Sequence, residues 1–519
     1  MTSNHRRLVH ALVAVFAGRA GIALGGAVLV PMYLSRWTPT LYGEWLAISS
    51  VAAYLSTLDL GMSMAGVNRL TRAHARRDTG EYVAAHRAAM AFYLAVATGG
   101  TLALGLIVAT TPFTRWIGLA EMPAHDARWA TWLLGAAILW AMPSGLIAAS
   151  YRITGDLGRS QWVANVQQML GLTLAAAVLL AGGGPVVIAL TQVGALLLVT
   201  AWVARDIARR HPGLLPSFGP ARSDILWSLV RPGLMFLLVS AAGAIALQGS
   251  VLVVSTALGG VAVAVFVTTR TLANLVRQVV GAMTNVWWPE LTRMEAVSEW
   301  SRLRRLHSLL VAASSALCVG GAATLYYVGA DIISRWTLGA LTPDPTLLRL
   351  LLLVVVLQSP WMVSLVFTAS TNQHARTATY WFAGSLLGLA FAAVLVKPLG
   401  AWGVPIGLML GEAIGCYHFV IRDACRLLGE DYRPFARRTW AGLVTSSVAA
   451  MAVAGIVHLS ISGPVLVRGA AIGTAACVAA IAAAWFLWLT PAERADVIRQ
   501  VRRTPRLMPA ETLTPSELR

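Results

Sequence analysis

Two arginines, Arg270 and Arg277, stand in an apolar run, Val261 to Arg293, that is long enough to cross a bilayer as a helix. On a helix, Arg270, Asn274, Arg277, Gly281 and Asn285 recur every three or four residues and share one face. A guanidinium at mid-bilayer costs roughly 2.5–3.5 kcal/mol or more, so such a face turns toward the bundle interior or a wet cavity. Three readings fit. The arginines pair with a carboxylate or with helix-end carbonyls and hold helices together. They line a cationic cavity for an anionic ligand, since guanidinium binds phosphate oxygens through paired, charge-assisted hydrogen bonds. Or the span is shorter and one arginine lies at an interface. Other ionisable groups fall inside apolar runs as well: Arg19, Asp59 and Glu412. Arg19, Arg270, Asn274, Arg277 and Asn285 are the candidate ligand-binding residues. Asp59 and Glu412 are candidate ion-coupling or ion-pairing carboxylates, and an Arg19–Asp59 pair between neighbouring helices is one arrangement. No nucleophile–base constellation, carboxylate pair or phosphate-binding glycine loop stands out, so neither a catalytic residue nor a cofactor is expected. Cys318, Cys416, Cys425 and Cys477 lack metal-ligand spacing and imply no metal and no disulfide.

The chain that positions these groups is 57% hydrophobic and only 12% charged, about half the charge of a soluble protein, which makes it a polytopic membrane protein. Its net charge of +18 is almost all arginine, with Lys397 the one lysine. The arginines sit in short loops between apolar runs, a distribution that the positive-inside rule explains without nucleic acid. About fourteen spans are predicted, near 8–34, 42–66, 88–111, 129–151, 163–183, 185–203, 229–256, 260–288, 307–329, 348–371, 378–396, 400–421, 439–460 and 465–489. With the N-terminus inside, basic residues favour the inner loops roughly four to one, and both termini are cytoplasmic. The first run could pass for a signal peptide, but Arg19 interrupts it and no cleavage site follows, so it reads as a retained span.

An internal repeat runs through the chain. Leu70-Thr71-Arg72 matches Leu291-Thr292-Arg293, Thr114-Arg115-Trp116 matches Ser334-Arg335-Trp336, and Pro123 and His86 match Pro343 and His307. An even number of spans separates the copies, so their topology is parallel. The predicted fold is all-α: two six-helix lobes related by this repeat plus a C-terminal helix pair. The expected domains are an N-terminal lobe, 1–204; a cytoplasmic linker, 205–225; a second lobe, 226–432; the extra pair, 433–489; and a basic tail, 490–519. Gly403, Gly407, Gly411 and Gly415 form a small-residue stripe for close helix packing, and Thr490-Pro491-Ala492-Glu493 reads as a capping box. Gln161, Asn165 and Gln168 in the fifth span, and Gln248 and Ser250 in the seventh, suit sugars or interhelical hydrogen bonds equally.

The segment Leu41 to Ala73 resembles the polysaccharide flippases that export lipid-linked O-antigen and capsule repeat units, through Tyr42-Gly43, Asp59-Leu60-Gly61 and Asn68-Arg69. Trp288-Pro289-Glu290-Leu291 resembles the matching helix of that family's second lobe. The two lobes with an extra helix pair resemble the wider superfamily of multidrug, oligosaccharidyl-lipid and polysaccharide exporters. The resemblance implies a bacterial inner-membrane transporter, not an enzyme, that moves undecaprenyl-pyrophosphate-linked oligosaccharide to the outer leaflet by alternating access, with a proton, sodium ion or membrane potential as drive and a polysaccharide polymerase as a partner. It implies that Arg19, Arg270 and Arg277 fill the cationic-cavity role. A peptidoglycan-precursor flippase and a multidrug exporter share the architecture. A glycan polymerase or ligase does not fit, because the outside loops near 112–128 and 330–347 are short.

Overall fold

The apolar runs form helices because a bilayer leaves no water to satisfy backbone N–H and C=O groups, so each segment bonds internally. The computed structural model describes residues 25–502, apart from 61, 215–218, 220–222, 372 and 374, together with Gly18 and Gly21. Among the described residues, eleven helical stretches are long and apolar enough to cross a membrane. The third to fourteenth predicted spans all fall on them, with Ala375–Leu428 carrying two. The all-α architecture of about fourteen membrane helices therefore stands.

The second and twelfth spans depart from the expected continuous helices. The helix Pro39–Tyr54 passes into a 3-10 turn, Leu55–Asp59, and a new helix, Met62–Ala75, begins after Leu60 takes the left-handed φ of 50°. The Asp59 carboxylate satisfies the start of that second helix, accepting from Ser63 Oγ (2.9 Å) and the Ser63 N–H (3.4 Å). The helix Gly403–Gly415 likewise ends before Phe419–Leu428 begins.

The chain forms two compact units. One holds the residues up to Leu275, Val328–Val355 and Asn372–Val420; the other holds Val276–Tyr327, Val356–Thr371 and the residues from Ile421. The first unit has an apolar core at each end of its helices. Tyr33, Tyr42, Trp45, Ile48, Phe113 and Leu341 belong to one, Met62, Leu70, Tyr82, Tyr93, Tyr151 and Ile207 to the other. At the second core, Asp206 accepts from Tyr151 Oη (2.6 Å), Arg159 (2.9 Å) and Arg210 (3.0 Å), tying three helices together.

The repeat appears in the backbone of this unit. The loops after Trp116 and Trp336 turn through Gly118 (φ 72°) and Leu338 (φ 55°), which occupy equivalent positions, and Pro123 and Pro343 close them. At Leu338 a non-glycine residue holds the left-handed backbone that glycine takes freely in the first copy.

In the second unit, the buried His307 ring stacks on Phe435 at 4.9 Å, meets Phe367 edge-on at 4.8 Å and bonds Ser364 through Nε2 (3.0 Å). Ser359 donates to Ser315 (2.9 Å) across the same pair of helices. The capping box forms as expected: Thr490 N–H and Oγ donate to Glu493 at 2.7 and 2.8 Å, and the Glu493 N–H returns to Thr490 Oγ at 3.3 Å. The helix Pro491–Arg502 follows. Glu493→Ala is expected to cost about 1 kcal/mol, the usual worth of a cap, read as a lower unfolding temperature of the detergent-purified protein.

Candidate functional site

The arginine stripe lies on the helix Gly260–Ala296. Arg270, Asn274, Arg277 and Gly281 are all half-buried there, as a polar face within a bundle requires. Arg270 shows what its position demands. Its Nη1 donates to the Leu247 carbonyl (2.6 Å) and to Ser250 Oγ (2.7 Å), and its guanidinium lies 5.3 Å from the centre of the Phe266 ring. Leu247 sits in a π-helical turn, Ile245–Gly249, where the widened backbone offers a carbonyl outside the regular ladder. The sequence reading offered a carboxylate or a helix-end carbonyl as partner for an arginine, and Arg270 meets a backbone carbonyl of another kind. The carbonyl comes from a bulge inside a helix instead of from a helix end. Ser250, singled out as a polar residue in an apolar run, is the second half of this dock.

Asp59 belongs to a different place in the first unit. Its Oδ1 accepts from Tyr93 Oη at 2.7 Å, and it lines a cavity of about 410 Å³ with Ser56, Ser63, Val67, Met142 and Arg152. Arg19, its expected partner, lies outside the described residues, as does the side chain of Asn285. The neighbouring Gly18 and Gly21 pack against Asn165 and Met169, so small residues of the first span let the fifth approach closely. Asn165 also accepts from Gln161 (3.0 Å), which uses part of the polar face of the fifth span within the bundle.

Glu412 is buried on the glycine-stripe helix. That stripe packs as expected: Gly403, Gly407, Gly411 and Gly415 each rest on the backbone of the helix Ala375–Leu399. Along the Asn68-Arg69 exit, Arg69 Nε pairs with Glu81 (3.3 Å) and its Nη1 bonds Ser228. The helix Gly260–Ala296 thus carries Arg270 and Asn274 in the first unit and Arg277 in the second, and Asp59 and Glu412 lie on separate elements of the first.

Sequence reasoning left Glu44 without a role. It is fully buried, and its carboxylate accepts three backbone N–H groups, from Ala120 (2.5 Å), Glu121 (2.9 Å) and Met122 (2.6 Å). An acidic residue beside the Tyr42-Gly43 pair was the available signal. The three amides were not legible, because they lie in a loop more than seventy residues away.

These features define a multi-pass helical membrane protein in which Asp59 stands at a helix break and Arg270 docks on a helical bulge. No family model matches the chain, and no curated protein matches it either. Among solved structures it is similar to the lipid II flippase MurJ in an inward closed conformation, with a TM-score of 0.68 at 11% identity over 95% of this chain and 100% of that one. It is also similar to an inward-facing multidrug resistance MATE family transporter of the MOP superfamily, with a TM-score of 0.59 at 18% identity over 77% of this chain and 98% of that one. An outward-facing MATE structure gives a TM-score of 0.56 at 16% identity over 82% and 97% of the two chains. The chain has the fold that these exporters and this flippase share.

Proposed function

We propose that the protein is a bacterial inner-membrane flippase that moves undecaprenyl-pyrophosphate-linked oligosaccharide repeat units to the outer leaflet for surface polysaccharide synthesis. The observation that carries this reading is the half-buried arginine stripe on Gly260–Ala296, in a fold shared with a lipid flippase. A diphosphate is an anion that hydrocarbon excludes, and guanidinium groups offer it paired donors. Arg270 and Arg277 bind the phosphates with Arg19, and Asn274 and Asn285 add amide groups. Two six-helix lobes, 1–204 and 226–432, alternate access around this stripe while the lipid tail stays in the bilayer. Asp59 and Glu412 are the carboxylates proposed to couple transport to a proton or sodium ion. Both termini lie in the cytoplasm, and a polysaccharide polymerase takes the product.

A deletion strain complemented with Arg277→Ala tests this. Losing one charge-assisted contact, worth about 1.5–3 kcal/mol, lowers surface polysaccharide by roughly tenfold or more at unchanged protein level, and lipid-linked repeat units accumulate inside. Unchanged polysaccharide at normal protein level refutes the reading.

A second reading, a lipid II flippase, is favoured by the likeness to MurJ over nearly the whole of both chains. It predicts that deletion is lethal, whereas loss of a surface polysaccharide flippase leaves viable cells without the glycan. A multidrug exporter, as the MATE structures are, predicts altered drug susceptibility and intact glycan.

A further inference from the structure

The loop Ile117–Met122 is tied on both sides at the end of the first unit that holds Pro39 and Gly260. On one side the buried Glu44 accepts the N–H groups of Ala120, Glu121 and Met122, and Thr38 Oγ donates to the Glu121 carboxylate (2.5 Å). On the other side Ser255, from the seventh span, donates through Oγ to the Ile117 carbonyl (2.5 Å). A Cβ on Gly118 would lie 2.6 Å from the Ser255 carbonyl oxygen, so loop and helix touch backbone to backbone. A third contact lies alongside. Gly43 rests against the Gly260 carbonyl, and a Cβ on Gly260 would stand 2.5 Å from the Thr40 carbonyl oxygen. The repeat-equivalent loop enters the same place, with Leu341 buried in one apolar core with Ile117, Met122, Tyr42 and Trp45.

Resting on the transport reading above, we propose that the loop Ile117–Met122 is a latch that closes the transport path at the end away from the arginine-rich loops, anchored by Glu44 and seated on Ser255. The anchor suits a reversible closure. Among the described residues the Glu44 carboxylate is held by backbone N–H groups, and such an anchor leaves no buried countercharge when it lets go, because water takes up the acceptor and the donors together. A buried ion pair would strand a partner. The seat depends on small residues, since Gly43, Gly118 and Gly260 allow backbones to meet with little side-chain interlock to undo.

The test reads access directly. A cysteine placed at Val254, a buried position beside the Ser255 seat, is treated in intact cells with a membrane-impermeant maleimide, and labelling above that of the parent chain is measured. With Glu44 intact it labels poorly. Adding Glu44→Gln, which turns an amide donor toward backbone donors, raises labelling roughly tenfold. Gly260→Ala, a wedge at the neighbouring contact, also raises it and serves if the glutamine variant fails to reach the membrane. Full labelling with Glu44 intact, or no rise in either variant at normal protein level, overturns the latch. Polysaccharide is not measured, so failure here is distinct from failure of the substrate assignment.

Discussion

Gly411→Leu removes the folded protein from the membrane, and Gly411→Ala lowers its stability by several kcal/mol. The helices Gly403–Gly415 and Ala375–Leu399 meet through backbone along their whole length. A Cβ at Gly411 would overlap the Gly388 N–H and the Gly384 carbonyl, and one at Gly415 would lie 2.6 Å from Gly384 Cα. Overpacking a tight site costs about 1–3 kcal/mol where side chains can shift, and here the obstacle is main chain, which cannot. Lipid offers no hydrophobic drive to hold separated helices together, so a gap opened by one methyl group loses the contacts of the whole pair. Thermal unfolding in detergent and membrane abundance measure the effect. Gly473→Ala is the control: the nearest atom to its Cβ, Thr324 Oγ1, lies at an ordinary 3.4 Å. Equal stability of the two alanine variants would refute the account.

Asp206→Ala is expected to cost about 2–3 kcal/mol. The carboxylate is mostly buried and takes one hydrogen bond from a tyrosine and two from arginines, one of which, Arg159, also lies over the Tyr151 ring at 5.6 Å. Deletion leaves a largely buried guanidinium facing a space with no anion, which is why the loss exceeds that of an exposed ion pair. A double-mutant cycle with Tyr151→Phe separates the parts. A coupling near zero would mean that the tyrosine contributes packing alone.

What the sequence made legible was whatever is spread along it. Twelve apolar runs became helices because hydropathy summed over about twenty residues is a large signal. The repeat register was readable from Thr114-Arg115-Trp116 and Ser334-Arg335-Trp336, and the turns at Gly118 and Leu338 fall at that same offset. What escaped was local and set by distant partners. A five-residue break at Leu55–Asp59 vanishes in a twenty-residue average, although Asp59-Leu60-Gly61 marked the spot. The bulge at Ile245–Gly249 carries no pattern of its own, and its use becomes evident only when Arg270, some twenty residues on, is seen bonded to it. Glu44 stood in plain view, but its role is defined by amides, which no residue type announces.

The break in the second span also bears on mechanics. Its first piece is pinned through Glu44 to the loop Ile117–Met122, and its second piece through Arg69 to Glu81 and Ser228. A continuous helix would behave as a stiff lever, and tilting one end would drag the other with it. Two short rods joined at Leu60 transmit torque poorly. On the latch proposed above, the first rod swings with its loop while the second stays clamped, and the span works as a joint.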